Sequence, residues 1–373
     1  MPSPAGADSP AGGGSGGGAI PAPVSGQDPA SAGLGPQDEP DAGVLVSNES
    51  ETGNGCDGIL PAALPDGIFW DVPHAAGETC TRVIGAAGSG IAVGLSAAGA
   101  SVSRWLLSSN GTAIAATEAL VTTGDALVGP SPMPWDSGFS LNRWDSSGAV
   151  TAQSWATGNP TCTFQVAPES AGSVVLLDQC HAMGGCDRVC SSWSANRFDH
   201  ARASGSLLLA SDDLPGAQAA ASGDWLLIGF GSGRAFGMPA DAVVAKWVDQ
   251  GWTSTAPFVA GHCRQPCTDL VLAPFGDGVA VHAGGAWSFV AKDSTVTPMG
   301  AWIQDRQSLT PIRDGQAWGA GAEDLGIFTA SGASCGRLSV PGAESVTVDR
   351  DGTVIARLRG APCSFVFWPA LLR

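Results

Sequence analysis

The sequence predicts an all-β domain built from repeated small sheets, and three observations support this fold class. The chain of 373 residues contains 53 glycines and 26 prolines, residues that interrupt regular elements and form turns. Its apolar runs, such as 174–177 (VVLL) and 226–228 (LLI), have the length of strands and are bounded by turn residues. A unit made of an apolar strand, a tight polar turn and a second strand marked by Trp or Phe recurs along the chain.

The repeated unit has a mean spacing of about 42 residues, which is within the range of repeats that contain several short strands. Successive copies begin near Ile91, Leu127, Val174, Leu226, Val279, Ala317 and Val346. This spacing resembles that of the β-propeller superfamily, in which each repeat forms one four-stranded blade. The resemblance covers residues 56–373 and implies about seven blades, with six or eight as alternatives. No WD, kelch or Asp-box series identifies a particular propeller family.

The two ends of the repeat region are expected to share one sheet. A single sheet cannot shield both of its faces, so neighbouring sheets stack and a closed ring protects the edge strands. The runs 67–72 (GIFWDV) and 364–368 (SFVFW) both have strand character and lie near opposite ends of the region. Long helical patterns are missing, and 113–120 (AIAATEAL) fits either a short helical turn or a strand.

Residues 1–55 are predicted to form a disordered, flexible linker, and residues 56–373 the propeller domain. The first segment consists mainly of Gly, Ala, Pro and Ser, and every charged residue before Arg82 is an acid. Such a composition buries too little apolar surface to offset chain entropy. It resembles the spacers of bacterial lipoproteins, which implies a lipid tether upstream. No signal peptide is visible, so the chain is interpreted as a mature exported protein.

The charge balance argues against nucleic-acid binding. Acids outnumber bases by 34 to 17, which gives a formal charge of −17, and the chain lacks the basic stripe that neutralises phosphates. No stretch approaches the roughly 18 apolar residues of a membrane-spanning helix. The sequence therefore predicts neither a nucleic-acid partner nor a transmembrane segment.

The cysteines predict an oxidising, extracytoplasmic compartment, because their number is even and several lie close together in sequence. The ten cysteines are Cys56, Cys80, Cys162, Cys180, Cys186, Cys190, Cys263, Cys267, Cys335 and Cys363. Pairing between neighbours in sequence is preferred. The predicted disulfides are Cys56–Cys80, Cys162–Cys180, Cys186–Cys190, Cys263–Cys267 and Cys335–Cys363.

Three local motifs have both a chemical and a structural interpretation, and the structural one is favoured in each case. Cys180, His181, Cys186 and Cys190 could surround zinc, but a CxxC ligand pair is absent and disulfides are preferred. The run 332–336 (GASCG) matches the GxSxG pattern of a nucleophile elbow, yet a β segment follows it instead of a helix. The turn at 349–353 (DRDGT) supplies too few oxygens for calcium and is predicted to be an Asp-Gly hairpin. The sequence thus predicts no metal and no cofactor.

The tryptophans divide into two groups. Five lie at comparable places in the repeats and are predicted to pack between sheets; they are Trp105, Trp144, Trp193, Trp247 and Trp287. Trp135 and Trp302 instead occur in loop-like runs beside Asp136 and Asp305–Arg306. An exposed Trp beside charged groups suits stacking on a sugar ring or a contact with another protein.

The predicted ligand-binding residues are therefore Trp135, Asp136, Trp302, Asp305, Arg306, Arg313 and Asp314. Arg313–Asp314 and Glu323–Asp324 are expected in nearby turns that line one mouth of the propeller channel. The leading hypothesis is an exported or cell-envelope protein without catalytic activity that binds a protein or a glycan through loops on a propeller face. The alternative is a glycan-active hydrolase or lyase, for which Asp136, Asp305, Asp314 and Glu323 are the first acids to inspect. No catalytic residue is predicted.

Overall fold

The fold is taken from a computed structural model of the chain. It describes residues 45–47, 56, 58–61, 64–97, 100, 102, 104–117, 119–132, 139–157, 163–168, 174–181, 191–199, 204–212, 218–222, 225–230, 240–248, 251–254, 258–261 and 270–373. Residues 1–41 and 42–373 form separate units, and all described residues belong to the second.

The described strands form seven antiparallel sheets of four or five strands. Sheet 1 consists of β3 (Glu78–Gly85), β4 (Ile91–Ala97), β5 (Arg104–Leu107) and β6 (Ala113–Ile114). Sheet 2 consists of β7 (Val121–Thr122), β8 (Leu127–Pro132), β9 (Phe139–Trp144) and β10 (Val150–Thr157). Sheet 3 consists of β11 (Thr163–Pro168), β12 (Val174–His181), β13 (Ser191–Asp199) and β14 (Ser204–Asp212). Sheet 4 consists of β15 (Gln218–Ser222), β16 (Trp225–Phe230), β17 (Ala240–Val248), β18 (Gly251–Ser254) and β19 (Phe258–Gly261).

The other three sheets come from the last hundred residues and from two strands near the start of the described chain. Sheet 5 consists of β20 (Val271–Phe275), β21 (Gly278–Ala283), β22 (Ala286–Val290) and β23 (Val296–Pro298). Sheet 6 consists of β24 (Ser308–Ile312), β25 (Ala317–Gly321), β26 (Leu325–Phe328), β27 (Ser334–Ser339) and β1 (Leu45–Ser47). Sheet 7 consists of β28 (Ala343–Val348), β29 (Val354–Leu358), β30 (Ser364–Trp368) and β2 (Ile68–Asp71).

The sheets are arranged as a β-propeller, as the repeat spacing predicts. Consecutive strands of a sheet pair with one another, except that β19 pairs with β17. The first strands of sheets 1 to 6 contact each other in sequence order. β25 of sheet 6 contacts β28, and β29 contacts β3, which returns the ring to sheet 1. The helices of the described chain are one four-residue α-helix, α1 (Ala301–Gln304), and a short 3₁₀ turn, Arg313–Gly315.

Sheet 7 closes the ring with strands from both ends of the described chain, which confirms the expected shared sheet. β2 pairs antiparallel with β30, so that Ile68 lies opposite Phe367 and Asp71 opposite Ser364. Phe365 and Phe367 are fully or almost fully buried and share an apolar core with residues of sheet 1. The apolar run at the end of the chain is thus a core strand of the closing sheet.

The structure tests two predictions about short segments, one near the N-terminus and one at residues 113–120. β1, at residues 45–47, pairs with β27 and lies inside the segment for which composition predicts a disordered linker. In the segment 113–120, Ala113 and Ile114 form β6 and the remaining described residues form a connection. The strand alternative is therefore correct for the first two residues only.

The five repeated tryptophans all lie on the third strand of their sheets, namely β5, β9, β13, β17 and β22. Trp105, Trp144 and Trp287 are the three of these whose side chains are described, and all are buried. For these three, packing in the core is confirmed. Trp368, on the third strand of sheet 7, is buried in the same way.

The disulfides join distant parts of the chain, so two of the predicted pairs are wrong. Cys56 is bonded to Cys335 and Cys80 to Cys363, whereas pairing by nearness in sequence predicted Cys56–Cys80 and Cys335–Cys363. Ring closure is the physical reason, because it places the start of the domain against sheets 6 and 7. The four cysteines do pair among themselves, with exchanged partners.

The remaining cysteine predictions fall on parts of the chain that the structure does not describe. Cys162, Cys186, Cys190, Cys263 and Cys267 lie outside the described residues, as does the side chain of Cys180. Among the helices of the described chain, none has the length and apolarity needed to cross a membrane.

Candidate functional site

Two cavities of the described chain have the size and composition of ligand sites. The first, the axial cavity, has a volume of about 300 Å³. It is lined by residues from the first strands of sheets 1 to 6 and by the turn that follows the first strand of sheet 7. The first strands therefore surround the propeller axis. The cavity's charged lining residues are Arg82, Asp349 and Arg350.

Arg350 spans the axial cavity. It lies in the β28–β29 turn of sheet 7, and its guanidinium Nη1 donates a hydrogen bond of 2.7 Å to the carbonyl oxygen of Pro168. Pro168 ends β11 in sheet 3, and two sheets separate sheet 3 from sheet 7 on one side of the ring and three on the other. The side chain consequently crosses the channel and holds a positive charge near the axis.

The β28–β29 turn is the Asp-Gly hairpin that the sequence predicts. The Gly352 amide donates to the Asp349 carbonyl oxygen at 2.9 Å, and the Asp349 amide donates to the Thr353 carbonyl oxygen at 3.0 Å. Gly352 has a φ of +77°, a conformation that glycine adopts without steric cost.

The two carboxylates of this turn also bind the neighbouring sheet. Asp349 Oδ2 accepts a hydrogen bond from the Gly85 amide at 2.9 Å, and Asp351 Oδ2 accepts one from the Gly88 amide at 2.7 Å. Burial, with the nearby Asp351 charge, raises the pKa of Asp349 to about 6, and burial also raises the pKa of Asp351. Both carboxylates therefore connect sheet 7 to sheet 1, a role that the hairpin interpretation did not foresee.

The second cavity, the aromatic cleft, lies between sheets 5 and 6 and has a volume of about 370 Å³. Its lining residues come from the end of β20 and the turn that follows it, from β22, from the end of β23 and the connection that contains α1, and from the β26–β27 turn. They are Phe275, Gly276, Asp277, Phe289, Pro298, Met299, Gly300, Trp302, Ala330 and Ser331. Asp277 is the charged residue of this lining, and it is exposed.

Trp302 is held in the cleft by other aromatic rings. Its ring centroid lies 4.5 Å from that of Phe328 and 6.0 Å from that of Phe275. Phe275 also contacts Phe289 edge-on, with centroids 5.9 Å apart. Gly332 gives the indole its space, because a Cβ at that position would lie 2.4 Å from Trp302 Nε1. The ring is therefore fixed in orientation while it remains half-buried.

The indole N–H of Trp302 has no protein acceptor among the described residues. Four other tryptophans donate to backbone carbonyl oxygens at 2.9–3.0 Å: Trp105, Trp287, Trp318 and Trp368. Buried indoles normally find such a partner. Trp302 lines the cleft, and its N–H is left without an acceptor among the described residues.

The structure brings Trp302 to a cleft but places the other described candidates elsewhere. Asp305 ends α1 and is exposed. Arg306 forms an ion pair with the buried carboxylate of Asp324, which also pairs with Arg337. Arg313 and Asp314 form the β24–β25 turn with φ values of +48° and +52°. Trp135 and Asp136 lie outside the described residues.

The expected grouping of two turns at one channel mouth is wrong. Asp314 precedes β25 and Glu323 follows it, so the five-residue strand separates them by roughly 17 Å. None of the described acids named for an enzyme, Asp305, Asp314 and Glu323, lines the axial cavity. The acid that does so is Asp349.

Sequence reasoning missed two parts of these sites. Phe275 and Phe289 lie in strands and share no motif with Trp302, since the three converge only after sheets 5 and 6 pack together. The segment 275–278 (FGDG) offered a usable signal, because an aromatic residue beside an Asp-containing turn marks the end of a hairpin. Arg350 gave no signal beyond its place in a turn.

No family model matches this chain, and no curated protein sequence matches it. Solved structures show similarity at low identity. An oligogalacturonate lyase in complex with manganese is 13% identical, with 78% of this chain and 89% of that chain covered and a TM-score of 0.41. A gluconolactonase from Xanthomonas campestris is 15% identical, with 83% and 96% covered and a TM-score of 0.35. A eukaryotic initiation factor is 11% identical, with 80% and 87% covered and a TM-score of 0.37. These values carry no argument about activity.

Proposed function

We propose that this chain is an extracytoplasmic binding protein that recognises a neutral glycan at the aromatic cleft. The observation that carries the proposal is Trp302, whose indole is half-buried, fixed by Phe275 and Phe328, and left with an N–H that no described residue accepts. The apolar face of a sugar ring packs on such an indole, and a sugar hydroxyl accepts its N–H.

The composition of the cleft supports a neutral glycan over a charged one. The described lining is apolar apart from Ser331 and Asp277. A carboxylate at the rim repels uronate or sulfate groups, whereas it accepts hydrogen bonds from sugar hydroxyls. Uncharged hexoses are therefore the preferred ligand class.

The size of the cleft supports a glycan over a folded protein. A volume of about 370 Å³ lies near the lower end of the roughly 300–1,000 Å³ of small-ligand sites. A stable protein–protein interface, by comparison, covers about 800 Å² on each partner. A short stretch of sugar rings fits the cleft without further surface.

The disulfides support the extracytoplasmic setting. Cys56–Cys335 and Cys80–Cys363 are typical of proteins that fold in oxidising compartments.

The proposal is tested by screening the full chain on an array of neutral, uronate-containing and sulfated glycans, followed by calorimetry with the selected oligosaccharide. Trp302→Ala is expected to weaken binding at least tenfold, because it removes the stacking surface, and aromatic anchors of this kind often contribute 2 kcal/mol or more. Asp277→Asn removes the carboxylate that repels acidic sugars, so the variant is expected to bind acidic glycans on the array as well as neutral ones.

Phe69→Ala is the matched control, since Phe69 is an aromatic residue with 60% exposure on β2, outside the cleft. It is expected to leave the affinity unchanged. Full affinity in Trp302→Ala, or selection of acidic glycans by the unmodified chain, would contradict the proposal. Trp135→Ala tests the second predicted tryptophan in the same assay.

A further inference from the structure

The β26–β27 turn gives the aromatic cleft a second hydrogen-bond donor beside Trp302. The hydroxyl oxygens of Thr329 and Ser331 lie 2.8 Å apart in this turn, and Thr329 Oγ1 also accepts a hydrogen bond from the Ala333 amide at 3.2 Å. Thr329 is buried, and Ser331 Oγ is the acceptor that the described residues offer to its hydroxyl proton. Because a buried donor without an acceptor is costly, Thr329 donates to Ser331. The exposed Ser331 hydroxyl, which lines the cleft, keeps its own proton for a ligand.

The indole N–H of Trp302 lies on the same side of the cleft as this hydroxyl. Gly332 follows Ser331 in the turn, and a Cβ at Gly332 would collide with Trp302 Nε1. Among the described side chains, the buried polar atom without a hydrogen-bond partner is Arg313 Nε. Trp302 Nε1, whose N–H no described residue accepts, is therefore not buried. The turn thus brings a hydroxyl donor beside the N–H edge of the indole.

The rest of the lining supplies an acceptor and an apolar surface. Asp277 follows β20 on sheet 5, across the cleft from the β26–β27 turn of sheet 6, and its carboxylate accepts hydrogen bonds but donates none. Phe289 and Met299 are half-buried lining residues that pack against the apolar core between the two sheets. The cleft therefore combines two donors, one acceptor and an apolar surface.

We propose that the cleft binds the acetamido group of an N-acetylhexosamine, an inference that rests on the neutral-glycan function proposed above. The carbonyl oxygen of this group has two lone pairs and accepts from Trp302 and Ser331. Its N–H donates to Asp277, and its methyl group packs on Phe289 and Met299. An amide is uncharged, so the carboxylate does not repel it. A plain hexose carries a hydroxyl at this position and offers no methyl group to the apolar lining.

Calorimetry of the full chain with three matched tetrasaccharides tests the inference. Chitotetraose carries an acetamido group on each ring, its deacetylated form an ammonium group and cellotetraose a hydroxyl, while the linkage between rings is the same. Chitotetraose is expected to bind about tenfold more tightly than cellotetraose, or better, because it adds a strong acceptor and a buried methyl group. The deacetylated form is expected to bind more weakly than chitotetraose, since it lacks the carbonyl and methyl groups, although Asp277 attracts its ammonium group.

Two serine variants separate the Ser331 hydroxyl from general effects. Ser331→Ala is expected to raise the Kd for chitotetraose about threefold to tenfold, the range for loss of one hydrogen bond, and to leave the weaker binding of cellotetraose unchanged. Ser109→Ala is the matched control, since Ser109 is also exposed in a hairpin turn and donates one hydrogen bond, to the Ser146 carbonyl oxygen. This turn follows β5 on sheet 1, outside the cleft, so both affinities are expected to stay unchanged.

Several results would overturn the inference, and they are distinguishable from failure of the proposed function. If chitotetraose and cellotetraose bind equally and Trp302→Ala weakens both, the neutral-glycan function stands and the acetamido contact fails. A preference for chitotetraose that Ser331→Ala leaves intact overturns the inference as well. Tightest binding of the deacetylated form would show that charge at Asp277 selects the ligand instead. If no tetrasaccharide binds at about 5 mM, above the Kd of millimolar complexes, the inference fails, and the glycan array decides the proposed function separately.

Discussion

At the scale of single residues, Asp349 connects the axial cavity to the stability of the ring. Its carboxylate accepts hydrogen bonds from the Gly85 and Arg350 amides, yet burial and the Asp351 charge still raise its pKa to about 6. The folded state thus holds this proton more tightly than the unfolded state, whose aspartates titrate near 3.9.

The raised pKa predicts a stability contribution with a definite sign. Between about pH 4 and pH 6 the folded state binds more protons at Asp349 than the unfolded state does, so this group increases the free energy of unfolding as the pH falls. Asp349→Asn removes the titration. We therefore compare the free energies of unfolding of the two proteins by urea unfolding at each pH. The value for the unmodified chain minus that for the variant is expected to increase as the pH is lowered from 7 to 4.

A surface carboxylate provides the control for this measurement. Asp314→Asn removes one charge at the exposed β24–β25 turn, outside the axial cavity. A difference between the unmodified chain and Asp349→Asn that stays constant from pH 7 to pH 4 would contradict the burial of this carboxyl.

Single residues also show what the sequence alone leaves open. The repeat positions of Trp105, Trp144 and Trp287 predict their burial correctly, because a residue type that recurs with the sheet period has a recurring place in the packing. Trp302 has no such period, and only its loop-like surroundings indicate a different role. Its N–H lacks an acceptor among the described residues because of where the backbone carbonyls of other sheets lie. No local sequence pattern reveals those positions.

At the scale of elements, the hairpins and their cross-links explain the contact between sheets 1 and 7. The β28–β29 turn binds the β3–β4 turn through Asp349 and Asp351. Arg357 on β29 donates to the Cys80 carbonyl oxygen at 3.1 Å, and Cys80 is bonded to Cys363. The sequence indicated which segments form strands, but it did not indicate which cysteines are bonded. Closure of the ring decides which cysteines lie close together in space.

The two disulfides interlace along the chain, in the order Cys56, Cys80, Cys335 and Cys363, and this predicts how their removal affects stability. Once Cys56–Cys335 has formed, Cys80–Cys363 closes a loop of only about 50 residues, so removing it should lower the free energy of unfolding by about 2–4 kcal/mol. The double variant Cys80→Ser/Cys363→Ser is compared with the unmodified chain by urea unfolding. Removal of both bridges is expected to cost more than either pair alone.

Mass spectrometry of a non-reduced digest checks the pairing directly. Peptides that contain Cys56 are expected to be bonded to those that contain Cys335, and likewise Cys80 to Cys363. Recovery of Cys56–Cys80 or Cys335–Cys363 peptides would show that the ends of the ring do not meet as described.

At the scale of the whole molecule, ring closure depends on β2, which completes sheet 7. The repeat spacing and the two terminal apolar runs were sufficient to predict this shared sheet. The strand β1 was not predictable, since it has only three residues, its apolar run is too short to indicate a strand within a Gly- and Pro-rich segment, and its partner β27 lies far along the chain.

Truncation separates the contribution of β2 from that of the preceding residues. Deletion of residues 1–61 and deletion of residues 1–73, both combined with Cys335→Ser, differ in whether β2 is present. The longer deletion is expected to lower the free energy of unfolding by a further 3 kcal/mol or more, about the value for burying one or two large apolar side chains. Equal stability of the two truncated chains would contradict closure by β2.

The central claim, that the aromatic cleft binds a neutral glycan through Trp302, is tested most directly by ¹⁹F NMR of the chain labelled with 5-fluorotryptophan. Trp302→Phe assigns the Trp302 resonance by its loss. On addition of the oligosaccharide selected on the array, that resonance is expected to shift, while those of Trp105, Trp287, Trp318 and Trp368 stay in place. Binding that leaves the Trp302 resonance unmoved and shifts another tryptophan would contradict the claim.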